Sequence, residues 1–427
     1  MSTLIAALLV VLALVGAPLF AIILAAAFLG FFYAGVDFTA VAVEFYRISD
    51  TPLLLALPLF TFAGYTLGAS RASQRLLMLT RAFLGWMPGG LAIVAFVACA
   101  LFTAFTGASG VTIVALGAIL YPALNQAGYR EEFSLGLITS SGSLGLLLPP
   151  SLPLIIYGIV AQQMNTGRPV EINDLFLAGI FPGLLMLLFL SIYSLYTNRK
   201  TPVPLIPFCG RTALKAVRLA IWELPLPFFL LGGIYGGYFA VSEAAAVTAF
   251  YVIVVEVFIH REVNFSALPR LIVESMVMVG GVLLILGASM ASTNFIIDAQ
   301  VPMKLFEMIR GHISDKFIFL ILLNVFLLIV GTLMDIFSAL IIVVPLILPV
   351  ALSYGIDPVH LGIIFLANMQ IGYITPPVGV SLFIASIRFN EPIARLYRAA
   401  FPFMIVLFAA VLVITYWPGL SLMFVRP

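Results

Sequence analysis

Charged residues are scarce in this chain. Asp, Glu, Lys and Arg together make up 9% of its 427 residues, whereas soluble globular proteins carry roughly 25%. Hydrophobic residues reach 63%, and a soluble fold of this length could not hide so much apolar surface from water. The net charge of +2 is small and no basic tract is present, which argues against nucleic-acid binding. We therefore expect an integral membrane protein whose solvent is the lipid bilayer.

Cysteine and histidine are also rare, and the motifs of common enzyme classes are missing. Cys99 and Cys209 lie too far apart in sequence for a CxxC metal or redox site. The three histidines, His260, His312 and His360, fall in predicted loops or at predicted helix ends, which disfavours a metal centre. The sequence contains no HExxH, P-loop or GxSxG pattern. We expect no catalytic residues and no cofactor, so any energy source would be an ion gradient or another subunit.

Long apolar runs fill most of the chain. A membrane-spanning helix needs about 20 apolar residues. The sequence offers eleven apolar segments: 4–33, 52–70, 91–124, 133–160, 174–197, 221–239, 242–259, 275–296, 317–351, 360–387 and 397–424. The first segment has no preceding charge and continues beyond signal-peptide length, so we expect a retained membrane helix there. The pattern predicts an all-α, multi-pass membrane protein.

Two of these segments have an unusual length. Residues 91–124 and 317–351 are too long for one crossing and too short for two crossings with a loop. Small or polar residues occupy the centre of each, at 106–110 and 331–335. This pattern predicts re-entrant hairpins, in which two half-helices meet at a turn inside the membrane. Such backbone is tolerated only where it is buried in protein or lines a cavity. Nine true crossings then remain.

The basic residues predict the orientation of the chain. With the N-terminus in the cytoplasm, only six of the 20 Lys and Arg residues fall on the outer side: Arg47, Arg168, Lys304, Arg310, Lys316 and Arg426. Cytoplasmic loops are enriched in Lys and Arg, so the bias favours this orientation. Nine crossings then place the C-terminus on the outer, periplasmic side. Two basic stretches, 71–87 and 261–274, are predicted to be helices lying along the interface or ordinary loops.

The chain resembles itself at an offset of 227 residues. Pro149-Pro150 falls on Pro376-Pro377, Gly128 falls on Gly355, and Pro122 falls on Pro349. The first repeat covers 1–197, a connecting basic loop and helix cover 198–241, and the second repeat covers 242–427. The first copy starts inside and the second starts outside. We therefore predict inverted-topology repeats, which are common in secondary transporters.

A broken helix is predicted after each hairpin. Segment 133–160 contains Pro149-Pro150, and segment 360–387 contains Pro376-Pro377. Two adjacent prolines cannot continue an α-helix, because each lacks an N–H group and the second disfavours helical geometry in the first. Nearby glycines ease unwinding. A simple proline kink is the alternative, but symmetric pairs that follow hairpins favour a break.

Hairpin tips and helix breaks would bring helix ends together inside the membrane. Carbonyl groups at helix C-termini suit a hard cation such as Na⁺, and N–H groups at N-termini suit a carboxylate. We predict one sodium site in each repeat: Gly107, Ser109, Ser141 and Gly145 in the first, and Thr332, Asp335, Asn368 and Thr375 in the second. The substrate would lie between them, in contact with Thr106, Ser140, Ser143, Pro150, Met334 and Pro377. No metal other than sodium is expected.

Few acidic residues lie inside the apolar segments, where charge is costly and usually functional. Asp335 at the second tip is predicted to ligate a cation or hydrogen-bond the tip, or alternatively to cap its half-helix. Glu243 is predicted to interact with the dipole of a helix N-terminus. Glu256 lies near an expected cytoplasmic helix end, so its carboxylate is predicted to reach the interface.

Seven stretches are similar to those of a known family. In chain order they are LALPLFTFAG (55–64), FTGASGVTIVALGAILYPAL (105–124), SSGSLGLLLPPSLPLIIYG (140–158), LFLAGIFPG (175–183), SEAAAVTAFY (242–251), GTLMD (331–335) and IGYITPPVGVSLFIAS (371–386). Together they resemble the large membrane subunit of tripartite ATP-independent periplasmic (TRAP) transporters, of the C4-dicarboxylate permease DctM type. The outer loop 161–174 is longer than the family pattern, and Tyr65, Asn294 and Asp298 also depart from it.

The resemblance implies an elevator-type transporter, in which a scaffold supports a moving domain that holds both hairpins. It also implies Na⁺ coupling, a small membrane subunit, and a periplasmic binding protein that delivers a small organic acid to a permease in the bacterial inner membrane. One alternative is a self-contained sodium–dicarboxylate symporter, which works without a binding protein. A more remote alternative is an integral membrane enzyme, which would need a cluster of metal-ligating or acidic residues that the sequence lacks.

Overall fold

Helices form all the regular secondary structure in the part of the chain that the computed structural model describes, residues 19–35, 37–39, 41–43, 46, 52–87, 89–164, 170–199, 207–298, 307, 313 and 315–425. The α-helices in chain order are α1 (Leu19–Ala34), α2 (Ala56–Ala69), α3 (Ala72–Leu84), α4 (Gly90–Thr106), α5 (Ser109–Gln126), α6 (Glu131–Ser141), α7 (Leu152–Gln163), α8 (Ile172–Thr197), α9 (Gly210–Leu219), α10 (Pro225–Tyr235), α11 (Val241–Ile253), α12 (Leu268–Asp298), α13 (Lys316–Leu333), α14 (Ile336–Ser353), α15 (Pro358–Gly372), α16 (Val380–Phe389), α17 (Ile393–Tyr416) and α18 (Gly419–Leu422). The predicted all-α class is confirmed for these residues.

Four short helical segments complete the list. Pro52–Leu55, Leu144–Leu147 and Phe265–Ala267 form 3₁₀ turns, and Val254–Ile259 continues α11 as a π-helix. At the start of α11, Glu243 accepts a hydrogen bond from the backbone N–H of Ala240 at 2.9 Å. The predicted interaction of Glu243 with a helix N-terminus is therefore confirmed.

Seven of the described helices are long and apolar enough to cross a membrane, and the bent pair α6–α7 adds an eighth if it is one span. The seven are α5, α8, α11 with its π-helical extension, α12, α13, α14 and α17. Segment 4–33 is described only from residue 19 onward. The predicted outer loop includes residues 165–169, which lie outside the described residues, as do the side chains of Asn294 and Asp298.

The second hairpin corrects one expectation about length. Its two arms, α13 and α14, each contain 18 residues, and each passes the length test for a membrane span separately. The turn between them needs only Met334 and Asp335, and both helices extend beyond the apolar segment 317–351. Length therefore permits two crossings in this hairpin, contrary to the prediction that the segment is too short for them.

Each hairpin is closed by a two-residue turn. In the first, Gly107 and Ala108 join α4 to α5, and Gly107 has a φ of +66°, a left-handed conformation that favours glycine. In the second, Met334 and Asp335 are both extended, and the Asp335 side chain caps α14. The chain therefore reverses at a left-handed glycine in the first hairpin and at an aspartate that caps the next helix in the second.

Both helices that follow the hairpins are broken. Helix α6 ends at Ser141, and α7 begins at Leu152 after the 3₁₀ turn and the Pro149-Pro150 pair, with a bend of 43° between the two parts. Helix α15 ends at Gly372, and α16 begins at Val380 after Pro376-Pro377. Both Pro-Pro peptide bonds are cis. The first break is buried over residues 142–147, whereas residues 376–378 of the second break are exposed.

The helix bounds repeat at the same offset of 227 residues that relates the sequence motifs. Helix α5 spans 109–126 and α14 spans 336–353, and α6 begins at 131 where α15 begins at 358. The packing repeats too. Helix α5 packs against α16, and its counterpart α14 packs against α7. In the same way, α6 packs against α17, and its counterpart α15 packs against α8. The two halves are therefore interleaved, with each broken helix held by elements of both.

The helices form two contacting groups. The hairpin group contains α4–α8 and α13–α17, and its buried side chains belong to one large core that also includes residues of α2, α11 and α12. The outer group contains α1, α2, α11 and α12; α2 packs against α11 and α12, and α12 packs against α1. The groups meet where α2 lies on α4 and where α12 lies on α14. The hairpin turns lie near this boundary.

Candidate functional site at the hairpin turns

The first hairpin turn lies against the start of α7. A Cβ atom on Gly107 would stand 2.6 Å from Cδ1 of Leu152, so only glycine fits there without displacing that side chain. Thr106, the last residue of α4, is 2% exposed, and its Oγ1 has no hydrogen-bond partner. Ser109, the first residue of α5, is also buried. The turn therefore combines a buried free hydroxyl with the end of one helix and the start of another.

Thr103 connects both arms of the first hairpin to the helix break. Its Oγ1 donates to the carbonyl oxygen of Gly142 at 2.9 Å and lies 2.7 Å from Oγ1 of Thr112 on α5. All three groups are buried, so these bonds form away from water. Sequence reasoning missed Thr103 and Thr112, because a threonine inside an apolar helix gives no signal of what it contacts.

The same close backbone approach occurs in both halves. A Cβ atom on Gly145 would lie 2.2 Å from the carbonyl oxygen of Ala100 and 2.4 Å from the nitrogen of Ala104. A Cβ atom on Gly372 would lie 2.5 Å from the Cα of Gly331. Gly372 and Gly331 are the residues 227 positions after Gly145 and Ala104. Glycine thus lets each broken helix touch the backbone of the preceding hairpin.

The second turn is held by Asp335 and by the broken helix next to it. The Asp335 carboxylate accepts hydrogen bonds from the backbone N–H groups of Phe337 and Ser338 at 2.9 and 3.0 Å and from the Ser338 hydroxyl. Tyr373 accepts from the N–H of Ile336 at 2.8 Å through its hydroxyl oxygen. Asp335 therefore caps α14, which was the alternative role predicted for it. A carboxylate has further lone pairs, so the capping bonds leave cation ligation by Asp335 as a prediction.

Several predicted ligand hydroxyls bond within their own helices. Ser140 donates to Gly136 O at 2.7 Å, Ser141 donates to Ile138 O at 3.2 Å, and Thr375 donates to Ile371 O at 2.7 Å. Thr332 likewise donates to Ile329 O at 2.7 Å. A hydroxyl that donates in this way still has lone pairs to offer a cation. The role of Ser141, Thr332 and Thr375 as sodium ligands and that of Ser140 as a substrate contact stay predictions.

Asn368 lies on α15, which packs against α13 of the second hairpin. Its Nδ2 donates to Asn324 Oδ1 at 2.6 Å and to Ile364 O at 2.8 Å, and no hydrogen bond recorded among the described residues joins it to Thr332 or Asp335. Asn368 stands one helical turn before Gly372, or about 6 Å along the helix axis. The Oδ1 atom of Asn368 is buried without a hydrogen-bond partner, and its role as a sodium ligand beside Thr332 and Asp335 stays a prediction.

The two helix breaks are joined by a reciprocal contact. Gln370 Nε2 donates to the carbonyl oxygen of Ser143 at 2.8 Å, and the Ser143 hydroxyl points back to the carbonyl oxygen of Gln370 at 3.5 Å. These residues are 227 positions apart, the repeat offset itself. Each of the two side chains thus contacts the backbone carbonyl of the other residue. Ser143 was predicted as a substrate contact, whereas Gln370 was missed.

A narrow cavity lies between the two groups of helices. Its volume is about 10 Å³, the space of about one water molecule. Leu152 beside the first turn and Phe337 beside the second both line it, together with Thr61 of α2 and Val282 of α12. The cavity therefore marks the place where both turns meet the outer group.

The predicted substrate residues differ in their surroundings. Thr106, Ser140, Ser143 and Pro150 are buried, Met334 is partly buried, and Pro377 is exposed. The carbonyl oxygen of Pro377 accepts a hydrogen bond from the hydroxyl of Tyr397 at 2.5 Å. Among the described residues, no group of three or more His, Cys, Asp or Glu side chains could hold a metal ion. The site thus consists of hydroxyls, helix ends and one carboxylate.

The chain matches a known family along most of its length. The model of the family described as tripartite ATP-independent periplasmic transporter, DctM component, matches residues 5–420. The isethionate TRAP transporter permease protein DctMQ of Oleidesulfovibrio alaskensis is 36% identical over 396 residues, which cover 91% of this chain but only 60% of that protein. The C4-dicarboxylate TRAP transporter large permease protein DctM of Pseudomonas aeruginosa is 35% identical over 384 residues, 90% of this chain and 88% of that protein.

Further similar proteins extend the range of substrates and show the fold. The ectoine/5-hydroxyectoine TRAP transporter large permease protein UehC of Ruegeria pomeroyi is 32% identical over 417 residues, 97% of this chain and 96% of that protein. The crystal structure of the Alcanivorax borkumensis YdaH transporter is similar with a TM-score of 0.64 at 15% identity, covering 90% of this chain and 88% of that one. At that identity the likeness concerns the fold alone.

Proposed function

This chain belongs to the DctM family of tripartite ATP-independent periplasmic transporters and is a large permease, and we propose that it uses a sodium gradient to import small organic anions. The similar proteins are named for C4-dicarboxylates, isethionate and ectoine. These molecules share a small size and a carboxylate or sulfonate group. We therefore propose a small organic acid as the substrate class, with a C4-dicarboxylate as one candidate.

The observation that carries this proposal is the meeting of two hairpin turns and two helix breaks around the Ser143–Gln370 contact. Helices α4 and α13 end beside the breaks, and α5, α7, α14 and α16 begin there. Helix C-termini attract cations and N-termini attract anions, so one region can bind both a coupling ion and an anionic substrate. A protein that binds both together couples the movement of one to the other.

The oxygen atoms at the turns fit a sodium ion. In the first half, the Thr106 hydroxyl is buried without a partner, and Ser109 follows three positions later at the start of α5. In the second half, the Asp335 carboxylate supplies the negative charge beside Thr332. Hard cations prefer such oxygen ligands. Sodium bound at these residues would supply a positive charge beside which an organic acid could bind.

We propose an elevator movement of the hairpin group against the outer group. Ligand sites for small molecules occupy roughly 300 Å³ or more, whereas the cavity between the groups holds about 10 Å³. The groups must therefore move apart before a substrate can enter. Gly64 of α2 lies so close to the first turn that a Cβ atom there would be 2.8 Å from Thr106 Cα. Because Gly64 has no side chain, no group projects from this part of α2 into the boundary where the movement would occur.

We further propose the usual assembly for this family member: a small membrane subunit, a periplasmic binding protein that delivers the substrate, and a location in the bacterial inner membrane with the N-terminus in the cytoplasm. The family membership supports the two partners and the location. The distribution of basic residues supports the orientation.

Substrate uptake into proteoliposomes tests the proposal. The vesicles hold this subunit with its small membrane subunit, and uptake of labelled organic acids is measured with and without an inward Na⁺ gradient and with and without the binding protein. Uptake that needs both is the expected result. Sodium-driven uptake without the binding protein would instead indicate a self-contained symporter. Uptake that ignores the gradient would contradict sodium coupling.

Two substitutions test the sodium ligands. Ser109→Ala and Asp335→Ala should each raise the Na⁺ concentration needed for half-maximal uptake and leave docking of the binding protein unchanged. Asp315→Ala is the matched control, because Asp315 caps the far end of α13 by accepting the N–H of Phe317 at 2.9 Å. This variant loses a helix cap without touching the turn. Sodium titration curves that are unchanged in both test variants would rule out the assigned sites.

A further inference from the structure

A second polar cluster lies away from the hairpin turns. It consists of Arg75 on α3, Glu223 just before α10, Glu256 in the π-helical end of α11, and His260 and Glu262 in the loop that follows, and we call it the glutamate cluster. The Arg75 guanidinium lies 2.7 Å from Glu262 and 3.0 Å from Glu256, and its Nε donates to Glu223. Each of the three nitrogen atoms of the guanidinium thus donates to a different carboxylate.

The loop 260–263 folds back against the end of α11. Arg261 has a φ of +55°, an uncommon conformation for a residue with a side chain. The resulting turn lets the N–H groups of Glu262 and Val263 donate to the Glu256 carbonyl oxygen at 3.0 and 3.2 Å. The Glu256 side chain is completely buried. The prediction that Glu256 reaches the interface is therefore wrong, because Arg75 offers its carboxylate a partner inside the protein.

The cluster carries more negative than positive charge. Three carboxylates face one guanidinium, which leaves two excess negative charges if His260 is neutral. Glu223 is only 4% exposed, and its Oε2 has no hydrogen-bond partner. Nε2 of His260 lies 3.5 Å from Oε1 of Glu223 but makes no hydrogen bond. Buried carboxylate oxygens without a donor are costly, so the cluster needs a further positive charge.

A cavity beside Glu223 limits what this charge can be. Its volume is about 10 Å³, and apart from Glu223 only apolar residues line it: Leu67, Ala72, Leu76, Phe102, Phe105 and Leu226. A metal cation requires several oxygen ligands, and this lining offers one carboxylate. A proton requires only a single acceptor atom. The positive guanidinium of Arg75 would also repel a metal ion.

We propose that the glutamate cluster is a proton-binding site, which holds one proton at neutral pH. Because its titratable groups interact closely, the proton belongs to the cluster rather than to one residue. Three further titratable groups lie next to the cluster. The N–H of Arg71 donates to Glu262 at 2.8 Å, and the hydroxyl of Tyr251 donates to Trp222 O at 2.7 Å. Arg261 stands between His260 and Glu262 in the chain, and its Nε donates to Phe258 O at 3.4 Å. The bound proton reduces the excess charge and keeps α3 attached to α10 and α11.

Thermal unfolding at different pH values tests the inference. The purified full chain in lipid nanodiscs is unfolded without sodium, substrate or binding protein, so the outcome is independent of the proposed transport function. A folded state that binds one more proton than the unfolded state loses stability as pH rises, by about tenfold in the folded-to-unfolded ratio per pH unit. This loss begins above the pKa of a glutamate in the unfolded chain, roughly 4.3, and continues up to the pKa of the folded cluster. Because the cluster holds its proton at neutral pH, the wild-type unfolding midpoint should fall as the pH rises from about 5 to about 7.

Matched variants identify the groups that hold the proton. Glu223→Gln should flatten this pH dependence, because an amide keeps the shape of the side chain but cannot take up a proton. Glu274→Gln is the control, since Glu274 pairs with Arg270 at an exposed site, and it should follow the wild type. If Glu223→Gln cannot be purified, Glu256→Gln and His260→Gln replace it, with the same expected flattening. A midpoint that does not fall in the wild type, or that falls equally in the wild type and the cluster variants, overturns the proposal.

Discussion

Replacing Gly145 by alanine probes the contact between the first helix break and the first hairpin. The added methyl group would stand 2.2 Å from Ala100 O and 2.4 Å from Ala104 N, whereas ordinary van der Waals contact begins near 3.4 Å. Both neighbours are backbone atoms of α4, so no side chain can rotate away. The break and the hairpin would have to separate by about 1 Å. Such a forced separation costs about 1–3 kcal/mol.

This cost should appear in both stability and transport. A loss of about 1–3 kcal/mol lowers the unfolding midpoint by several degrees in a protein of a few hundred residues. The shift also moves the break away from Thr103 and from the turn, so sodium-dependent uptake should require a higher Na⁺ concentration. Thermal unfolding in nanodiscs and sodium titration of uptake in proteoliposomes measure the two effects.

The matched control is Gly281→Ala. Gly281 also lies in a helix, but no atom stands within 4 Å of the position that its Cβ would occupy. Alanine favours helix over glycine by roughly 1 kcal/mol, so this variant should unfold at the wild-type temperature or slightly above it. If Gly145→Ala behaves like Gly281→Ala in both assays, the close contact between the break and the hairpin is wrong.

Three further predictions concern single side chains. Gln370→Leu removes the hydrogen bond between the two helix breaks and leaves a buried carbonyl unpaired, which should cost about 1–3 kcal/mol. Uptake and the unfolding midpoint should both fall, and unchanged values would refute a central role. Thr103→Val should lower the unfolding midpoint more than Thr248→Val. The Thr103 hydroxyl donates to another segment, whereas the Thr248 hydroxyl donates to its own helix at 2.7 Å, so equal losses would contradict this prediction. The N–H of Thr212 holds the pKa of the Cys209 thiol below its usual value, and this side chain is exposed whereas Cys99 is buried. A membrane-impermeant maleimide should therefore label Cys209 alone and, if the connecting loop is cytoplasmic, only from the cytoplasmic side; labelling from the outer side would refute the predicted orientation.

Local sequence signals were sufficient to locate the turns and the breaks. Gly107 adopts a left-handed conformation that the sequence can indicate, because few other residues accept it. Pro149-Pro150 and Pro376-Pro377 end helices for covalent reasons that hold in any surroundings. Asp335 caps the helix that follows it, as one of its two predicted roles required. Each of these features depends on a residue and its immediate neighbours in the chain.

Contacts between distant segments could not be predicted in this way. The repeat offset relates Ser143 to Gln370, but the sequence does not tell which pair of counterparts is in contact. Ser140 and Ser141 were predicted from their chemistry alone, and their hydroxyls donate to their own helix, as serine often does inside helices. Glu256 was misjudged for a related reason. Its partner Arg75 is 181 residues away, and no local pattern connects the two.

The interleaved packing of the two halves bears on how the protein is made. Helix α5 is covered by α16, and α6 is covered by α17, and both partners are synthesised more than 200 residues later. The first half therefore leaves the ribosome with these surfaces uncovered, and contacts between segments so distant in sequence form slowly. Until α16 and α17 are inserted, lipid must cover the surfaces of α5 and α6 that these helices later bury. The membrane therefore acts first as a temporary partner for the early helices and only afterwards as the surroundings of the finished molecule.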